Sequence, residues 1–200
     1  MRKTTILGVA LLGLNLHAAD APTSQPAGIL PVADDGHTVN TDFESGTLKD
    51  WTLEGRAFNG QPIRGDTVHA RRPEMHSRHV GSYWIGTYEP TESDGPRGSM
   101  ESIPFKCTHP YAMFLIGGGS NPSTRVEICD AATRTILYQA SGDDEEDMRP
   151  MVVDMHRYVG KEIYLRVVDD ISFGWGHINF DDFRFYDTEP NVPKRRRLTP

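Results

Sequence analysis

Gly, Pro, Asn and Asp break this 200-residue chain so often that no apolar run is long enough for a helix of ordinary length. Between the breaks, residues 83–88, 98–105, 111–116, 124–129, 135–140, 151–155 and 162–168 carry the composition and alternation of strands. Residues 39–44 and 51–58 read as two earlier strands, with Trp51 as a core anchor. Only residues 143–148 offer a helical turn, and the acids Asp143, Asp144, Glu145, Glu146 and Asp147 more simply form a solvated loop there. About ten short strands in one unit predict an all-β, antiparallel β-sandwich of the jelly-roll kind.

The C-terminal stretch from Val167 to Phe185 concentrates the chemistry. It predicts a strand, a tight loop at Gly174-Trp175-Gly176, and a second strand with Ile178, Phe180, Phe183 and Phe185 as its apolar positions. The change of phase across Asp181 and Asp182 predicts a β-bulge that turns a carboxylate away from the core. With glycine on both sides, φ > 0 is open at Gly174 and Gly176, which would hold the Trp175 indole at a loop tip. An exposed indole beside Asp169, Asp170 and His177 suits a sugar-binding surface; a buried Trp at a hairpin with solvated acids is the plain alternative.

Residues 1–19 have the layout of a secretory signal peptide: Arg2 and Lys3, an apolar run from Ile6 to Leu14, then small residues. That predicts a secreted or periplasmic protein, and no segment is apolar enough for a stable membrane span. Residues 20–37 read as a flexible linker, 38–188 as the sandwich, and 189–200 as a disordered tail carrying Lys194-Arg195-Arg196-Arg197. A net charge of −7 without a clustered basic face argues against a nucleic-acid partner. Cys107 and Cys129 permit a disulfide and equally permit two buried thiols.

The loop spanning residues 59–81 is long for a compact domain and is therefore a candidate for function. His69, His76 and His79 share it, but with no helix to hold the three together they read as solvated residues and not as metal ligands. Its arginines are the better candidates, because a planar guanidinium bonds vicinal hydroxyls through two parallel donors. Further on, Gly117-Gly118-Gly119 ends an apolar strand, permitting close backbone approach to a ligand or a tight strand exit.

Asp42-Phe43-Glu44-Ser45-Gly46 with Trp51, then Phe114-Leu115-Ile116-Gly117-Gly118-Gly119, then Val167-Val168-Asp169-Asp170 and Gly174-Trp175-Gly176-His177-Ile178-Asn179-Phe180-Asp181 together resemble the galactose-binding-like jelly-roll modules appended to bacterial levanases and exo-inulinases. The resemblance runs from about residue 39 to 187, and the Gly-Trp-Gly-His-Ile-Asn run is its most specific part. It implies a non-catalytic domain that binds carbohydrate, fructan in the characterised cases, although this chain carries no hydrolase domain. The implied sugar site comprises Gly118, Gly119, Asp169, Asp170, Trp175 and His177, with Arg149 as a further donor and Arg64 and His69 from the long loop.

Related jelly rolls often hold a structural Ca²⁺, and the resemblance places Glu44 near Asp181 or Asp182 as oxygen ligands. One acid facing solvent while the other caps a turn is an equal alternative for those residues. Two other functions stay open: a lyase or glycosidase using Asp169, Asp170 and His177, and a purely structural exported domain. Adjacent acids on a strand point to opposite faces, which weighs against Asp169 and Asp170 flanking one glycosidic bond.

Overall fold

A computed structural model describes residues 27–192 of the protein. The expected signal peptide, the first part of the expected linker and the basic run of the tail lie outside the described residues.

Two antiparallel sheets face each other. One has the order β1 (Trp51–Gly55), β4 (Gly98–Ser102), β10 (Glu162–Asp169), β7 (Thr124–Asp130), β8 (Ile136–Ala140), with β5 (Phe105–Lys106) also pairing to β10. The other runs β2 (Ile63–Arg64), β3 (Tyr83–Gly86), β11 (Ile178–Tyr186), β6 (Tyr111–Gly118), β9 (Glu145–Asp154). The protein is thus the all-β, jelly-roll sandwich that its strand pattern predicts.

Strand alternation builds the core. Ile163, Leu165 and Val167 of β10 face inward, as do Ala112, Phe114 and Ile116 of β6, and all six are fully buried. Each such aliphatic or aromatic side chain contributes about 1.5–3 kcal/mol on leaving water. On β11 the inward phase is Ile178 and Phe180, then Phe183 and Phe185, and the register against β6 shifts between Asp181 and Arg184, with Asp182 at φ +52. The bulge falls where the phase change places it. Phe114 meets both sides of it, its ring 5.9 Å from Phe180 and 6.3 Å from Phe183. Trp51 is buried too, and its indole donates to the Asn40 carbonyl at 2.8 Å.

Several expectations are corrected. Residues 39–44 form no strand; the chain turns there, with Phe43 at φ +57 and its ring packed against both Trp51 and Phe180. The acidic run is not a solvated loop, because Glu145 opens the ten-residue strand β9, in which Glu146 and Met148 are buried. The long loop contains β2 and a five-residue helix, α1 (Thr67–Arg71), whose N-cap Asp66 accepts from the His69 amide at 3.0 Å. Cys107 and Cys129 are both buried and free, and burial pushes each thiol up to about 11. From residue 29 the lead-in already lies on the sandwich, with Ile29 bridged to Phe185 at the end of β11.

Candidate functional site

At one end of the sandwich, four segments converge on a polar pit. β11 begins with Ile178 and Asn179 directly after His177, β9 supplies Glu146, α1 supplies Arg71, and the loop after β3 supplies Tyr88, Glu89 and Asp94. His177 Nδ1 lies 2.7 Å from Asp94 Oδ1, and Nε2 stands 3.5 Å from Glu146 Oε2, near enough for charge attraction but without hydrogen-bond geometry. Arg71 Nη2 reaches Glu89 Oε1 at 2.7 Å and Glu146 Oε1 at 3.0 Å. The Asn179 amide donates to Glu146 Oε2 at 3.1 Å.

Two aromatic rings close over this group. Tyr88 lies 5.2 Å from the His177 ring and beneath the Arg71 guanidinium at 4.6 Å, while Trp175 tilts against His177 at 5.4 Å. Both rings remain partly open to solvent, whereas the charges below them are buried. Burial opposes the Glu146 carboxylate, yet His177, Arg71 and Asn179 outweigh it and bring its pKa down to about 2. Burial likewise works against the imidazolium of His177, and Glu146 and Asp94 reverse that, leaving its pKa raised. Among the described residues, His177 Nε2, Asn179 Oδ1 and Arg71 Nε are buried without a hydrogen-bond partner. Buried polar atoms are normally paired, so these three leave an unmet polar demand beneath the two rings.

Asp169 sits behind His177, 1% exposed, and burial raises its carboxyl to about 7 against the smaller opposing effects of Thr87 and His177. Its neighbour Asp170 points the other way, into solvent beside Arg97 at 4.0 Å. Strand alternation therefore separates the two acids, and they do not face one bond.

The Trp175 loop owes its shape to a different mechanism from the one its flanking glycines suggest. Neither Gly174 nor Gly176 has a positive φ; Trp175 itself does, at +61. A Cβ on Gly119 would lie 1.9 Å from the Trp175 carbonyl oxygen, and one on Gly118 would lie 2.5 Å from that of His177. Gly118 and Gly119 thus let the protein's own loop approach and are not themselves a ligand surface. Of the other expected sugar contacts, Arg149 turns to Asp143 Oδ2 at 3.3 Å and the Ser141 carbonyl at 3.1 Å. Arg64 is exposed on β2, and His69 stacks on His76 with ring centroids 4.3 Å apart. The pit accordingly unites Trp175 and His177 from the expected set with Arg71, Tyr88, Glu89, Asp94, Glu146 and Asn179.

Of these, Arg71 belongs to the arginine-bearing loop singled out by its length. Glu146 is the residue the sequence most disguises, and its only signal is the alternation of Glu146 with Met148 inside an acidic run.

The expected calcium ligands lie further along β11 and beside it. Glu44 Oε1 accepts from the amides of Ser82 at 2.7 Å and Tyr83 at 2.9 Å, and Asp181 Oδ2 accepts from Val80 at 2.8 Å. Asp182 turns instead to Arg184 Nε at 2.5 Å. Asp181 Oδ1 is buried and unpartnered, and burial holds this carboxyl well above its usual range, with Asp182 and Glu44 adding to the effect. Among the described residues, no three His, Cys, Asp or Glu side chains are grouped to hold a metal.

No protein-family model matches the chain. A putative glycosyl hydrolase, ecdE of Aspergillus rugulosus, is 27% identical over 145 residues, covering 72% of this chain; the chain spans only 20% of that relative's length. Among solved structures, TmCBM61 in complex with beta-1,4-galactotriose aligns at a TM-score of 0.48 and 14% identity, over 72% of this chain and 93% of that one. A cyclase from Fischerella sp. TAU aligns at 0.46 and 18% identity, over 78% of this chain and 94% of that one.

Proposed function

We propose that this protein is an exported, non-catalytic carbohydrate-binding domain whose sugar site is the pit under Tyr88 and Trp175. The observation that carries the proposal is the trio of buried, unpartnered polar atoms on Arg71, His177 and Asn179 beneath two partly open rings. An aromatic face covers the C–H face of a pyranose or furanose ring, and alternating guanidinium and carboxylate groups bond its hydroxyls. The relative named as a putative glycosyl hydrolase matches over a stretch the size of an appended module, which agrees with a role beside a glycan-active enzyme. Fructan or another polysaccharide is the ligand class.

An affinity-gel panel of fructans and other plant and microbial polysaccharides tests this. One member retards the protein, and Trp175→Ala weakens that binding about tenfold or more while the variant melts like the parent. Retention undiminished in Trp175→Ala would refute the site, and release of reducing sugar during the incubation would refute its non-catalytic character.

A structural Ca²⁺ held by Asp181 and Glu44, completed by backbone carbonyls, belongs to the same proposal. The orphaned Asp181 Oδ1 supports it, because a hard cation relieves a buried carboxylate oxygen that no hydrogen-bond donor reaches. Millimolar Ca²⁺ then raises Tm in the parent and not in Asp181→Asn, as mass action requires of an ion that binds only the folded state. Equal melting with Ca²⁺ and with EDTA would remove the ion from the account.

A further inference from the structure

The outer face of the β1–β4–β10–β7–β8 sheet holds a cavity of about 350 Å³, within the size range of small-ligand sites. Its floor is Ser99 of β4 with Arg166 and Val168 of β10, and Arg125 of β7 and Arg97 stand beside them. Behind the floor lies Glu127, fully buried, its two carboxylate oxygens shared between Arg125 Nε at 2.6 Å and Arg166 Nε at 3.1 Å. That carboxylate fixes the Arg125 plane through a hydrogen bond, meets Arg166 as an ion pair without hydrogen-bond geometry, and neutralises one of their two charges. Arg97 is oriented in turn by the Ser172 hydroxyl at 2.8 Å.

The opposing acids of the lining are Glu54 and Asp170, both at the rim in solvent, and Asp170 stands 4.0 Å from the exposed Arg97, so the unscreened positive charge is that of Arg125 and Arg166. Asp170 is 69% exposed on its side chain, against 20% for Arg125 and 31% for Arg166. Water and salt screen the rim acids far more than the half-buried cations, so the floor is positive toward anything that enters. An Arg pair with a fixed plane is the preferred receptor for a planar or tetrahedral oxyanion.

We propose that this cavity is an anion subsite that takes the carboxylate or sulfate ester of an acidic saccharide. It is separate from the pit, where Arg71 and His177 face the three acids Glu89, Asp94 and Glu146 and no positive charge is in excess, while this cavity presents a cationic floor. Ser172 lies on the same loop as Trp175, so the cavity and the pit border one loop from two sides.

Isothermal titration of the full chain with tetragalacturonate, its methyl ester and a sulfated heparin disaccharide tests the assignment. At low salt tetragalacturonate or the disaccharide binds, whichever does naming the anion, and the affinity falls as salt is added. The methyl ester does not bind. Ser99→Glu, which places a carboxylate over the arginines, abolishes the binding, and Arg97→Gln weakens it about fivefold or more. Both positions are at least partly exposed, and their thermal melts report that the fold survives. Trp175→Ala leaves this binding intact. No heat with either anion, equal binding of the methyl ester, unaltered affinity in Ser99→Glu, or loss of the anion in Trp175→Ala would each overturn the proposal.

Discussion

Glu146→Ala lowers the stability of the protein by about 1.5–3 kcal/mol, the usual cost of removing hydrogen bonds to a buried charged group. Glu146 is 3% exposed and meets Arg71, His177 and Asn179 at once. Its loss leaves the Asn179 amide with only the residue-146 carbonyl, and the Arg71 and His177 charges with one acid each, Glu89 and Asp94. Urea unfolding measures the change, and Glu145→Ala provides the comparison, because Glu145 is exposed next to it on β9 and should leave the midpoint nearly where it is. The effect also has a pH signature. The carboxyl falls from an ordinary 4.5 to about 2 on folding, so its contribution is complete above about pH 4.5 and is lost as pH drops toward 2. Glu146→Ala should lack that acid limb. Equal midpoints for the two alanine variants would mean that the pit is not the electrostatic knot described.

Gly119→Ala should destabilise by about 2–3 kcal/mol and disorder the Trp175 loop, while Gly174→Ala changes stability by less than about 0.5 kcal/mol. A methyl group at residue 119 would sit 1.9 Å from the Trp175 carbonyl oxygen. The colliding atom is backbone, so no side-chain rotation relieves it. At Gly174 nothing lies within 4 Å and φ is not positive, so the methyl enters open space. Trp175 fluorescence and thermal melting report both effects. A Gly119→Ala protein that melts with the parent would show that the loop does not depend on the glycine approach.

These two residues also mark what was legible in the sequence. The sandwich was, because its evidence is local: strand-length runs, period-two alternation and frequent turn residues. The bulge between Phe180 and Phe183 was legible for the same reason. The seclusion of Asp169 from Asp170 followed from alternation alone. Glu146 was hidden because its burial depends on how β9 registers against β6, with Glu145 opposite Gly118, and on the segment around α1 that covers that face, and its acidic neighbours mask that pairing. Arg71 was visible only as one arginine among several, since a helix of five residues is too short to show a period. Trp175 was recognised through its flanking glycines, but the conformational freedom lies with Gly118 on a different strand, at φ +82. What escaped the sequence is the part decided by contacts between distant segments.

The most direct test of the account is an amide and indole NMR titration of the full-length protein with the sugar that the affinity panel selects. The account predicts saturable shifts centred on the Trp175 indole N–H, the Asn179 side-chain amide and the Tyr88 backbone, with Gly160 on the turn before β10 unmoved. Saturable binding that leaves those three signals in place would put the sugar elsewhere and contradict the site.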